Sequence, residues 1–202
     1  MTGPFAPAWL LPAMALALIA AGLFWFERGR RPLQHVPLIA VLAATAALGR
    51  VLTAVVPSVQ PTTFLVMLAG LALGPSAGFM TGVIATIGSN FFLGQGLWTL
   101  WQAAGWGICG LSLGWIGRLW PNPPTGLLVT LGIAWGFLFG WLQNLWHWIA
   151  FVHPLNAATW IAVNAASLPF DAAHAATNAL LIATAAQPLL RILHRHRQPP
   201  HG

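Results

Sequence analysis

QPTTFLVMLAGLALGPSAGFMTGVIATIGSNFFLGQGLWTLWQAAGWGICG, residues 60–110, carries no charged side chain. Two apolar runs, 65–73 and 79–87, meet at Gly74-Pro75, a pair that breaks helices. Beyond them polar residues gather: Ser89, Asn90, Gln95, Thr99 and Gln102, with Trp98 and Trp101 among them. The pattern predicts short helices inside a bilayer, ending in a polar, aromatic mouth suited to a bulky polar ligand.

The rest of the chain agrees. Its 202 residues are 58% hydrophobic and 5% charged, whereas globular chains are about 25% charged. So few charges cannot build a soluble surface, and the expected fold class is all-α integral membrane. The net charge of +6 comes from arginine alone, since no lysine is present and the acids are Glu27 and Asp171. Most arginines flank predicted helix ends or lie in the tail, so their placement reports membrane topology rather than nucleic-acid binding. The single cysteine, Cys109, excludes an internal disulfide and sits beside glycines as a packing residue.

Seven spans are expected: 9–26, 37–55, 61–73, 77–92, 98–119, 126–149, and a last one that starts between Ala157 and Pro169 and ends near Leu193. The third and fourth are short for a ~30 Å hydrocarbon core, which needs about 20 residues. In the first span the arginines follow the apolar run, the reverse of a cleaved signal peptide, so it reads as a retained helix. With the N-terminus outside, Arg28, Arg30, Arg31, Arg118, Arg191, Arg195 and Arg197 all fall in the cytoplasm, and no outer loop carries an arginine. The expected location is the bacterial cytoplasmic membrane, with the C-terminus inside. Residues 1–31 form an accessory helix and basic hinge, 32–193 the membrane domain, and 194–202 a basic tail.

Two charges fall within spans. Arg50, roughly 20 Å along the second, and Asp171, early in the last, lie at similar depth toward the outside. A lone charge in the bilayer is costly. They therefore pair, or both face a ligand cavity, or Arg50 snorkels to the outer headgroups. The second span also carries Ala40, Ala43, Ala44 and Ala47, a small-residue stripe that lets another helix approach closely.

Residues 40–110 resemble the substrate-binding membrane subunit, or S component, of energy-coupling factor vitamin transporters, in its cobalamin-type branch. The resemblance rests on the alanine stripe with Gly49-Arg50, VQPTTFLVMLAG, GPSAGF, SNFFLGQGLWTLWQ and the segment 106–110, and later on LPFDAAHAATN, 168–178. It implies a six-helix bundle with a cavity open to the outside, here preceded by one extra transmembrane helix. It implies partners: a transmembrane coupling protein and two cytoplasmic ATPase subunits, besides the vitamin and lipid. It places Ala40, Ala44 and Ala47 on the face that meets the coupling protein. It implies no resident cofactor, cobalamin or another corrinoid being the transported substrate.

The residues themselves support a cavity at the outer end. Gln60, Asn90, Gln95 and Trp98 lie beside outer loops, and Trp101 and Gln102 lie one turn into the fifth span. Trp98, Trp101 and Gln102 are spaced to share a helix face, as are Trp141, Asn144 and Trp148. Flat aromatic walls fringed by amides suit a ring with polar edges. With His147, Arg50 and Asp171 these complete the expected ligand-binding set. An interfacial tryptophan belt and helix-to-helix amide bonding account for the same residues individually. His147 and His153 are candidate ligands for the cobalt of a corrinoid. No GxxxxGK[ST] run is present, so ATP hydrolysis belongs to a partner. Two alternatives are a solitary transporter without a coupling module and an intramembrane enzyme using Asp171, His174 and Arg50.

Overall fold

The computed structural model describes residues 10–29 and 35–197. Among them are seven helices and no strand: α1 Leu10–Arg28, α2 His35–Thr53, α3 Thr62–Leu73, α4 Pro75–Leu93, α5 Leu97–Leu119, α6 Thr125–Phe151 and α7 Ala157–Arg197. Four of them, α2, α4, α6 and α7, are long and apolar enough to cross a bilayer. The proposed tail beyond Arg197 and the hinge residues Arg30 and Arg31 lie outside the described residues.

One expectation needs correction and two become exact. The fourth span is not short: α4 has 19 residues, because Pro75 begins it at the position where a missing N–H costs nothing. The third is short, as expected: α3 has 12 residues, about 18 Å. The last is one uninterrupted helix of 41 residues with Pro169 and Pro188 inside it. Its start at Ala157 is set by a reciprocal cap: the Thr159 N–H donates to Asn156 Oδ1 at 2.9 Å and the Asn156 N–H to Thr159 Oγ1 at 3.3 Å.

Every residue of α3 is buried. It turns into α4 through Gly74 alone, which adopts φ +98°, a conformation open to glycine and strained for other residues. Its N–H donates to Gly70 O at 2.8 Å while its carbonyl accepts from Gly78 N–H at 3.0 Å. α5 lies directly on this hairpin. A Cβ placed on Gly110 would sit 2.2 Å from Gly78 O, and one on Gly70 would sit 2.3 Å from Gly110 O. Backbones this close exclude every side chain, which is how small residues drive helix association without a hydrophobic gradient. α6 and α7 pair the same way through Gly132, Gly136 and Gly140, the middle one facing the Ala175 backbone. The remaining core is apolar and packed around α3: Phe64, Met67 and Leu68 with Trp106, Leu113, Phe139 and Ile182. α1 leans on α4 and α5 through Ile19, which packs with Phe79, Val83 and Ala103.

This packing creates a recess. Thr63, one residue into α3, is hydrogen-bonded to His174 of α7 and Trp106 of α5. Beyond that level α7 continues toward its N-terminus for about 25 Å, and α5 for about 13 Å. The start of α3 is therefore a floor, and its neighbours are walls.

Gly110→Val should remove the folded, monodisperse protein or lower its melting temperature in detergent, at a cost above the ~1–3 kcal/mol of ordinary overpacking. Gly126→Ala, where nothing lies within 4 Å, should be neutral or stabilising by up to ~1 kcal/mol. Equal melting temperatures for the two variants would contradict the close seam.

Candidate functional site

Arg50 sits four residues from the end of α2, partly buried, with its guanidinium directed into the bundle. The Nε donates to Gln60 Oε1 at 3.1 Å. Nη1 donates to Ser89 Oγ at 2.7 Å and to Asn90 Oδ1. Nη2 reaches Gln102 Oε1 at 3.3 Å. Four side chains from the 54–61 loop, α4 and α5 thus share one cation, and every acceptor is neutral. Its Cζ also lies 5.0 Å from the Trp106 ring centroid, a cation–π contact that adds to its solvation.

The acceptors are themselves held. Asn90, fully enclosed at 1% exposure, donates its amide to Thr99 Oγ1 at 2.9 Å and Gln102 Oε1 at 3.0 Å. Thr99 Oγ1 donates to Gln95 Oε1 at 2.9 Å and accepts from the Gly96 N–H at 3.3 Å, which closes the first turn of α5. Thus the polar residues clustered in the sequence at 89–102 converge in space.

Below the guanidinium a second set of contacts crosses the core. Trp106 Nε1–H donates to Thr63 Oγ1 at 2.9 Å. The Thr63 hydroxyl is also hydrogen-bonded to His174 Nε2, 2.8 Å away. Trp106 stacks on Phe139 with centroids 4.2 Å apart, and Phe139 meets the His174 ring edge-on at 5.6 Å.

Arg50 and Asp171 do not pair. Between them stand Trp106, Phe139 and His174. Asp171 faces α6 instead, close enough that a Cβ on Gly140 would strike its Oδ1. It accepts from Ser167 Oγ at 2.9 Å, and Ser167 in turn accepts from Asn144 Nδ2 at 2.7 Å. Asn144 also donates to Asn164 Oδ1 at 3.1 Å. So Asp171 and Asn144 belong to the α6–α7 seam, where the Gly140–Asn144 line of α6 meets α7. Arg50 does not snorkel to the headgroups either, because its acceptors are inside.

The two predicted aromatic faces are split. Trp141 is 48% exposed and Trp98 41% exposed, whereas Asn144 and Gln102 on the same helices are half-buried. His147 is exposed, with its ring against Phe151, and Trp148 donates to Thr159 Oγ1 at 2.9 Å to join the α6–α7 hairpin. Trp101 stays partly buried. Among the described residues no cluster of three His, Cys, Asp or Glu side chains forms. Thr63, Ser89 and Trp106 enter the centre without having stood in the expected ligand-binding set. Ser89 carried a signal as a member of the polar cluster, and Trp106 as an aromatic flanked by glycines.

A cavity of about 180 Å³ opens beside Arg50, lined by Thr53, Ala54, Val56, Ser58, Val59, Gln60 and Leu93. The loop after α2 covers it. A second, apolar groove of about 380 Å³ runs along α2 and α4, lined by Ala40, Ala43, Ala44, Ala47, Met80, Ile84 and Gly88, with Phe26 of α1 at one end. Here the alanine stripe divides. Ala43 and Ala46 are buried in the bundle, whereas Ala40 and Ala44 are exposed and Ala47 is half-buried.

Compared with known families, residues 33–195 match the profile of the ECF-type riboflavin transporter S component. No curated protein and no solved structure matches the chain.

Because Arg50 and Asp171 have separate partners, the stability losses of Arg50→Gln and Asp171→Asn should add, with coupling below about 0.5 kcal/mol. Arg50→Gln alone should cost about 2 kcal/mol or more, since it removes charge-assisted bonds that four side chains depend on. A double-mutant cycle by thermal unfolding in detergent reads both. Coupling above about 1 kcal/mol would mean that the charges pair.

Proposed function

Because this chain belongs to the ECF-type riboflavin transporter S component family, we propose that it captures a flavin-type vitamin at the Arg50 end of its bundle. As an S component it is a membrane-embedded transporter subunit that binds a small vitamin and works with an energy-coupling module, and its family is not an enzyme class. The observation that carries the ligand assignment is the Arg50 cluster above the short α3. It offers amides, hydroxyls and one cation around a recess, with no carboxylate among Arg50's partners. Such a surface suits a neutral ring with carbonyl edges and a hydroxylated chain.

Size supports the flavin over the corrinoid expected from the sequence. The cavity beside Arg50, about 180 Å³, is below the ~300–1,000 Å³ typical of pockets for drug-sized ligands. A modest displacement of the 54–61 loop admits a flavin. A corrinoid requires an opening several times larger. In this scheme Arg50, Gln60, Asn90 and Gln102 hold the ligand from below and Trp101 from the side, while Gln95, Trp98, Trp141 and His147 stand at the rim. Asn144 and Asp171 act indirectly, by fixing α6 against α7.

The N-terminus lies outside, as the arginine distribution requires, so the recess faces the external medium and the tail faces the cytoplasm. The exposed Ala40 and Ala44, with Ala47, form the docking face for a coupling-protein helix in the apolar groove. Two ATPase subunits supply the energy. Release follows if docking favours a bundle state with lower vitamin affinity. The vitamin is cargo, and no resident cofactor is needed.

Titration of the purified protein with riboflavin, followed by quenching of flavin fluorescence, should saturate near one equivalent, and cyanocobalamin should neither bind nor compete. Tight cobalamin binding without riboflavin binding would reverse the assignment. Ala44→Trp should abolish co-purification with the coupling protein while riboflavin binding is retained. Unchanged co-purification would remove the groove from the docking scheme.

A further inference from the structure

Two buried N–H donors between α5 and α6 have no acceptor. Trp101 Nε1 on α5 and Gln143 Nε2 on α6 are enclosed by protein, and neither is hydrogen-bonded. Buried donors are nearly always paired, because leaving one unpaired forfeits the hydrogen bond that it made to water. They are also neighbours in the fold. Gly105 lies one turn along α5 from Trp101, on the same face, and a Cβ there would stand 3.4 Å from Gln143 Nε2 and 3.2 Å from the Phe139 ring. Gln143 therefore lies against this face of α5. Phe139, one turn before Gln143, stacks on Trp106. The two donors therefore sit one turn above the aromatic pair that bounds the recess, with Gln102 of the Arg50 cluster next to Trp101 in the chain.

Other buried polar atoms without partners, Ser76 Oγ and Asn178 Oδ1, lie elsewhere: Ser76 at the opposite end of the bundle, and Asn178 deeper in the α6–α7 seam. Among the described residues, the coincidence of two orphan donors on facing helices is confined to the α5–α6 seam.

We infer that Trp101 and Gln143 form a subsite that reads a carbonyl–NH–carbonyl edge on the captured ring. This rests on the flavin reading above and adds to it the part of the ligand that is recognised. The chemistry follows from the groups. A primary amide presents an N–H and a C=O side by side, which match one carbonyl and the adjacent N–H of an imide. The indole N–H is a donor only, and it takes the second carbonyl. No charged side chain is needed, so the subsite selects a neutral edge. Sites built to hydrogen-bond a ligand group discriminate strongly against analogues that lack it, because their own polar groups are then left unpaired. The edge enters the α5–α6 seam, and the rest of the ring and its chain extend toward Arg50.

The test compares riboflavin with its N3-methyl derivative, which keeps both carbonyls and blocks the imide N–H. Affinities are read by fluorescence quenching on wild type, Gln143→Met and Trp101→Phe. Wild type should bind the methylated flavin at least about tenfold more weakly than riboflavin. Gln143→Met, similar in volume but without the amide, should bind riboflavin about tenfold more weakly, and for it the methylation penalty should shrink to below about threefold. Trp101→Phe should weaken both flavins and leave the penalty in place. Equal binding of the two flavins by wild type overturns the inference, as does full riboflavin affinity in Gln143→Met. In either case water satisfies the donors. If both variants fail to fold, the wild-type comparison alone decides. Wild type that binds no flavin at all fails earlier, and that result refutes the flavin reading and this subsite with it.

Discussion

A guanidinium placed at membrane depth must find its hydrogen-bond acceptors inside the protein, and Arg50 sets much of its own end of this bundle by that requirement. Its partners come from a loop and two helices: Gln60, Ser89, Asn90 and Gln102. Because all are neutral, the cation is solvated rather than neutralised. A buried ion pair would have stored its energy in one contact and left little to offer a ligand. A cation surrounded by amides and hydroxyls keeps polar groups facing the recess, each already oriented by another bond. Asn90 shows this well, since its oxygen serves Arg50 while its nitrogen serves Thr99 and Gln102.

The recess exists because α3 is short and wholly buried. Twelve apolar and small residues are surrounded by longer helices, and glycine seams bring α5 onto the α3–α4 hairpin at backbone contact. Those seams leave no slack, so α3, α4 and α5 form one rigid unit. The α6–α7 hairpin is a second unit, closed by Gly132, Gly136, Gly140 and the Asn144–Ser167–Asp171 chain of hydrogen bonds. Trp106, Phe139 and His174 join the two units across the middle.

α1 lies outside the residues that match the family, 33–195. It packs against α4 and α5 through Ile19, on the side away from the α6–α7 hairpin. Only its Phe26 end reaches the apolar groove that α2 and α4 form. The six-helix domain thus keeps its own recess, and the additional helix contributes no side chain to the Arg50 cluster.

By itself the sequence determined the membrane class, the order of the helices and the family. These follow from quantities local in the chain: hydropathy, breaker residues such as Gly74-Pro75, the placement of arginines, and contiguous blocks such as SNFFLGQGLWTLWQ. The gathering of Asn90, Thr99 and Gln102 was legible for the same reason, because a short loop brings residues close in sequence together in space. The glycines at 132, 136 and 140, small residues four apart, stood outside the sequence expectations, and the structure shows what they meet. The tertiary structure alone decided which charge meets which partner. Depth suggested Arg50 and Asp171 as a pair, but depth does not specify rotation about a helix axis, and rotation is set by packing. Gly140 turns Asp171 toward α6, and the bulk of Trp106 and Phe139 fills the space between the two charges. Rotation likewise left Trp141 and Trp98 exposed, and it set Trp101, expected at the mouth, and Gln143, which the sequence did not single out, in one seam.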